Sequence, residues 1–182
     1  VINYKRFMPF LIEAVRNEEK MTHSFIRDVH AILCQNAIES VPGQFKTIPN
    51  MIIGAEFVPT PPYQVLPALQ DWRLNLEAQL KAAYSENEAM VAAICRQHIA
   101  FERIHPFPDG NGRVGRALMV YTCLVEKIVP IVIPVEKRVQ YLAYLSNMDE
   151  KGFCAFALEL QMAERERVQG FQTGIPSDIK LR

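Results

Sequence analysis

The sequence predicts a mainly helical domain with one small β-hairpin. Two observations lead there. Successive segments carry apolar residues at helical spacing over most of the chain. One stretch, 41–62, is instead rich in Pro and Gly, excludes a helix and holds two short β-prone runs. No internal repeat or linker divides the 182 residues, so 1–182 reads as one domain with its core over about 21–169 and further residues expected before Val1. Apolar content of 49% and charged content of 22% suit a globular chain long enough to bury a real core. Lys+Arg and Asp+Glu both total 20, so no net charge advertises nucleic acid or an anionic membrane, and any phosphate affinity must be local. No apolar run reaches membrane-spanning length, and no signal-peptide pattern opens the chain. Four separated cysteines in apolar helical segments read as buried free thiols, the usage of a reducing cytoplasm.

Taken in order, 2–16 places Phe7, Phe10, Leu11, Ala14 and Val15 on one helical face, with Pro9 an awkward point. Thr22 is an N-cap for a helix to about Asn36 that buries Phe25, Ile26, Val29, Ile32 and Leu33. Phe45-Lys46-Thr47-Ile48 and Met51-Ile52-Ile53, bent at Pro49-Asn50, read as the hairpin strands. A long amphipathic helix follows from Pro62 to about Ala83, with Trp72 in the core. Ser85-Glu86-Asn87-Glu88 reads as a capping box opening a helix whose buried stripe runs Ala89, Met90, Ala93, Ile94, Gln97, Phe101, Ile104. Beyond about Lys127, Val135–Met148 is expected to turn Val139, Leu142 and Leu145 inward, and Phe153–Gln169 forms the last helix. His23, His30 and His98 are read as structural.

Between two of these helices lies His105-Pro106-Phe107-Pro108-Asp109-Gly110-Asn111-Gly112-Arg113-Val114-Gly115-Arg116. Pro106 drives His105 out of the α region, presenting an imidazole at a helix end. Gly110-Asn111-Gly112 can aim successive backbone N–H groups at one anion, and the apolar run after it makes this nest a helix N-terminus. Arg113 and Arg116 fall in the first turns, where cations oppose the helix dipole by about 0.3–1 kcal/mol each. Two of them there make sense if a polyanion occupies the site. Asp109 could hold a hard cation such as Mg²⁺ against phosphates.

The stretch resembles the Fic family signature, His-x-Phe-x-(Asp/Glu)-Gly-Asn-Gly-Arg-x-x-Arg, and matches every fixed position; the likeness extends from near Met21 to about Glu164. The resemblance implies the helical Fic fold and transfer of AMP from ATP to a protein hydroxyl. It implies His105 as general base, Asp109 as the Mg²⁺ ligand, and Gly110, Asn111, Gly112, Arg113 and Arg116 as the phosphate cradle. Phe107 becomes a buried anchor. Tyr141 stands where relatives often carry a tyrosine near adenine, and Asp149 where they carry an asparagine. The hairpin corresponds to the family's flap, giving Lys46, Thr47, Met51, Ile52 and Ile53 as residues that clamp a target segment by β-augmentation.

Gly112 sets the family's AMP-transferring branch apart from a toxin branch that carries lysine there and phosphorylates its target. Many relatives carry an inhibitory helix, Ser/Thr-x-x-x-Glu-Gly/Asn, whose glutamate pairs with the second motif arginine, here Arg116. This chain holds no convincing copy, which implies a constitutively competent enzyme unless such a helix stands upstream of Val1 or on an antitoxin-like partner protein. The expected partners are therefore ATP and a hydroxyl-bearing protein (Tyr, Thr or Ser, including this chain itself), with no nucleic acid and no membrane. Two other readings stand beside AMP transfer: an enzyme that removes AMP from proteins, and a nucleotide-binding or interaction module with idle chemistry.

Overall fold

The computed structural model describes residues 2–35, 41–52 and 57–173. Its helices are α1 (Ile2–Arg16), α2 (His23–Leu33), α3 (Val65–Ala82), α4 (Asn87–Ile104), α5 (Asn111–Val125), α6 (Arg138–Ser146) and α7 (Glu150–Thr173). The fold is all-α, with no strand among the described residues.

α4 is the central helix. It buries residues on most of its circumference, from Met90 and Val91 through Ile94, Cys95 and Ile99 to Phe101 and Ile104. It lies against α3 on one side, α7 on another and α5 along its length. One core layer joins α1, α2, α3, the end of α4 and α5 around Phe7, Phe25, Trp72, Phe101 and Phe107. The second joins α4, α5, α6 and α7 around Ile94, Met119, Tyr141, Phe153 and Phe156. The loop joining α4 to α5 therefore emerges where the two layers meet, which fixes both of its ends.

Local chemistry explains several boundaries. Pro9 is carried within α1, and Phe7, Leu11 and Ala14 still pack inward as the spacing predicts. The Thr22 hydroxyl accepts the Phe25 N–H at 3.1 Å, an N-cap for α2; Asn36, its expected end, lies outside the described residues. Trp72 is buried and its Nε1–H donates to Gln97 O at 2.7 Å, tying α3 to α4.

Two expectations are corrected. The capping box at Ser85 does not form: Tyr84 and Ser85 both take left-handed φ values (48° and 64°) to reverse the chain after α3, so α4 starts at Asn87 with no side-chain cap. In the α6 region, Val139 and Leu142 face outward, exposed to 82% and 43%. A 3-10 turn at Val135–Lys137 delays the helix and shifts its phase, so Tyr141 enters the core with Tyr144 and Leu145 beside it. Asp149, the departure from the family's asparagine, acts locally, its Oδ1 accepting the Gly152 N–H at 2.8 Å at the start of α7.

Candidate active site

His105 caps the C-terminus of α4 in the left-handed region, at φ 49° and ψ 59°. Pro106 does exclude the right-handed helix, but the escape is to αL rather than to extended backbone, because the His105 N–H still closes the last turn onto Phe101 O at 3.0 Å. Its Nδ1 lies 3.2 Å from Glu102 O, a carbonyl that only accepts. Nδ1 therefore carries the proton, and Nε2 is left as the basic lone pair. Burial lowers the imidazole's pKa; the Glu102 carbonyl opposes this, the Lys46 ammonium adds to it, and Asp109 opposes it. The ring is thus a neutral base at physiological pH.

The loop after it is held by side chains rather than by its own backbone. Phe107 is fully buried, stacked on the His30 ring at 3.9 Å and tilted against Phe45 at 5.1 Å. Its N–H donates to Asn111 Oδ1 at 2.8 Å, and its carbonyl accepts from Asn111 Nδ2 at 2.8 Å and Asn50 Nδ2 at 2.9 Å. The Asn111 side chain is therefore spent on the loop. His30 accepts the Gly43 N–H at Nδ1 (2.9 Å), so its Nε2–H donates to Asp109 O at 3.1 Å. That arrangement needs a neutral ring, and burial lowers the His30 pKa accordingly.

Gly110 then turns at φ +81°, with its Cα packed on Cys34: a Cβ there would sit 2.3 Å from Sγ. The N–H groups of Arg113 and Val114 both return to Gly110 O at 3.0 Å. Those of Asn111 and Gly112 precede the helical ladder and are the donors of the nest, at the positive end of α5.

Arg113 pairs with Asp109 at 2.8 Å, both side chains being nearly half exposed, so the pair holds by less than about 1 kcal/mol and can open for a ligand. Arg116, one turn on, reaches back over the nest: a Cβ on Gly112 would lie 3.2 Å from its Nη1. Beneath it lies Tyr141, 1% exposed, its ring centroid 5.7 Å from the Arg116 Cζ. The Tyr141 hydroxyl meets His98 Nε2 at 2.7 Å, so its ring is covered and underlies the arginine. A groove of about 640 Å³ opens beside Arg113 and Arg116, walled by Phe7, Leu124, Ile131 and Glu164. That is the size of a small-molecule site.

The donor set suits one kind of metal. No cluster of three or more metal-ligating side chains occurs among the described residues. A single carboxylate, Asp109, beside a phosphate cradle fits Mg²⁺, which is commonly held by one or two carboxylates plus substrate phosphates.

The expected flap looks different from a hairpin. Its described residues carry no strand, and Ile53 lies outside the described residues. The Lys46 N–H donates across to Pro106 O at 2.9 Å, so this backbone pairs with the motif loop. Lys46 is only 3% exposed, its Nζ donating to Asn50 Oδ1 (2.7 Å) and Ile104 O (3.3 Å). It anchors the loop from beneath and is not presented to a target. Thr47, Ile48 and Met51 are exposed, the last to 88%, and Ile52 is half-buried.

Sequence reasoning passed over His30, Cys34, Asn50 and Glu102. None of the four left a signal: Glu102 stands between Phe101 and Arg103, three residues before His105, and reads like a solvated acid near a helix end.

A helical domain with this loop between its two innermost helices is, in class, a Fic-type domain. The sequence model of the Fic/DOC family matches residues 20–123, more than half of the chain, and the chain belongs to that family. It is 29% identical over 161 residues to the protein adenylyltransferase fic-1 of Caenorhabditis elegans, covering 85% of this chain and 30% of that protein. With its Caenorhabditis briggsae counterpart it shares 31% identity over 151 residues, covering 80% of this chain and 28% of the other. The chain thus spans less than a third of these relatives' length. The solved structure of C. elegans Fic-1 matches with a TM-score of 0.76 at 22% identity, over 96% of this chain and 52% of that one, which shows the shared fold. No helix among the described residues is long and apolar enough to cross a membrane.

Proposed function

We propose that this chain is a protein adenylyltransferase, moving AMP from ATP to a side-chain hydroxyl of a target protein. The observation that carries the reading is the tautomer-fixed, neutral His105 beside a helix N-terminal nest crowned by Arg116. Related proteins named adenylyltransferases, at modest identity, support the same class of activity.

In this reading the nest N–H groups of Asn111 and Gly112 hold phosphate oxygens, with α5's positive end behind them. Arg113 releases Asp109 to meet the polyphosphate, and Arg116 meets it from the far side of Gly112. Glycine at 112 matters because any Cβ would press on the Arg116 guanidinium. Asp109, once freed, would hold Mg²⁺, which neutralises phosphate charge. His105 Nε2 takes the proton of the incoming hydroxyl as its oxygen attacks the α-phosphorus, and pyrophosphate leaves on the opposite side. The catalytic power is positioning and electrostatics. Thr47 and Met51, exposed beside the anchored Lys46, form the flap that lays the target segment alongside His105.

The test is incubation with α-labelled ATP, Mg²⁺ and a cell lysate, comparing wild type with His105→Ala. Label in protein bands with wild type alone supports the reading. Equal label from both proteins, or none from wild type, refutes it.

A further inference from the structure

Glu102 is a largely covered acid, its side chain 12% exposed, that the mechanism above leaves idle. It sits in the last turn of α4, facing α5 across Gly115; a Cβ on Gly115 would come within 2.3 Å of its Oε1. That oxygen is shut off from solvent and has no hydrogen-bond partner among the described residues. The nearest side-chain donor is His98 Nε2 at 3.8 Å, already committed to the Tyr141 hydroxyl. A carboxylate oxygen shut off from water without a partner is costly, and a purely structural site would be better filled by an apolar residue.

The neighbours suggest what the cost supports. Arg116 is the cation whose field reaches Glu102, and it stands in the first turns of α5, where the helix dipole disfavours it. Tyr141 underlies the same guanidinium. We propose that Glu102 is a positioning residue for Arg116: its carboxylate, locked beneath Gly115, supplies the counter-charge that keeps the guanidinium over the nest and preorganised for a nucleotide's polyphosphate. The inference rests on the nucleotide-binding reading of the site and assigns the residue that tunes it.

Of Glu102, His98 and Tyr141, the titratable groups gathered around Arg116, one changes charge near neutrality. Burial pushes Glu102 up to about 7, Arg116 pulling against it. His98 on α4, buried and facing Arg116, is driven down to about 3 and stays neutral. Tyr141 on α6 is raised and stays a phenol. The positioning charge is therefore present at pH 8 and withdrawn at pH 6.

The test measures the affinity of Mg²⁺–ATP by calorimetry for wild type, Glu102→Gln, Arg116→Ala and the double variant, at pH 8 and pH 6, with thermal melts alongside. Groups that act within one charge network do not add their losses independently. Glu102→Gln is expected to bind about tenfold more weakly at pH 8 without a lower melting temperature, and to add no further loss to Arg116→Ala. At pH 6 the gap between Glu102→Gln and wild type should shrink. Glu102→Met, which leaves no polar atom to satisfy, should behave alike if the glutamine variant folds poorly. Wild type that binds while losses simply add, or while Glu102→Gln binds more tightly, overturns this inference alone. Wild type that binds no Mg²⁺–ATP overturns the functional reading and this inference together.

Discussion

Gly110→Ala is the sharpest probe of how the loop is built. Gly110 occupies φ +81°, where an L side chain costs about 1–2 kcal/mol. Independently, the new Cβ would fall 2.3 Å from Cys34 Sγ, in a fully buried side chain, and such overpacking costs about 1–3 kcal/mol. The sum is about 2–5 kcal/mol, and at about 2–4 °C per kcal/mol for this length the melting temperature should drop by about 4–20 °C. The two parts separate in a double-mutant cycle. Cys34→Ala alone loses about 0.5–1.5 kcal/mol for one deleted heavy atom, yet in the Gly110→Ala background it should recover most of the overpacking. Urea denaturation of the four proteins reads this as a coupling of about 1–3 kcal/mol, with the φ penalty remaining. A Gly110→Ala protein within about 0.5 kcal/mol of wild type, or a cycle without coupling, would contradict this account of the turn.

Other consequences are equally measurable. His105 has a lowered pKa, so the acid limb of kcat/KM against pH should fall below the ordinary histidine value near 6.5, and Lys46→Met should move it upward by removing a repelling charge; a wild-type limb above 6.5 counts against this base. Asn111→Ala strands the buried Phe107 N–H while Asn50 still serves the Phe107 carbonyl, for a loss of about 1–3 kcal/mol in denaturation; a change under about 0.5 kcal/mol would show that the loop finds another acceptor. Trp72→Phe gives up the bond to Gln97 O and should lose about 1 kcal/mol or more without altering nucleotide binding, which titration can check. Glu102 has a folded pKa raised to about 7 from 4.5. Its favourable term is therefore full below 4.5 and lost as pH rises through 7. Glu102→Gln should match or exceed wild-type stability at pH 8, its relative advantage disappearing near pH 5; the opposite trend in melts would mean the carboxylate is ionised throughout.

The sequence made the helices and the motif loop legible because both are written locally. Helical spacing marks α1, α2, α3 and α4, since one face of each must enter the core. Where spacing misled, a backbone event intervened that spacing does not encode. The 3-10 turn before α6 rotated the helix and exchanged Val139 for Tyr141 in the core. The left-handed pair Tyr84 and Ser85 moved the start of α4 past a plausible cap. The Pro-rich segment is the more instructive departure. Its β-branched runs suggest strands that pair with each other; the described residues show no strand, and the Lys46 N–H goes to the Pro106 carbonyl. A buried ammonium and Asn50 then fasten the segment to Ile104 and Phe107.

The site was legible only in its outermost layer. Every residue that would touch a phosphate lies within twelve consecutive positions, because a nest, a helix start and two arginines one turn apart must be contiguous to share one anion. The residues that hold that layer in place come from elsewhere: His30 and Cys34 from α2 and its C-cap, Asn50 from the connector, His98 and Glu102 from α4, Tyr141 from α6. Each acts on a backbone group or on Arg116, so any helix passing at the right distance could have supplied it, and no spacing announces it. His30 illustrates this most directly. Its two ring nitrogens span Gly43 and Asp109, positions 66 residues apart (109 − 43), and a histidine in that role reads in sequence like any buried one. Glu102 follows the same rule, since beside Arg103 it reads like any solvated acid and only the fold turns its Oε1 inward. A residue placed against its own burial preference needs a physical reason, and here the guanidinium across Gly115 provides it.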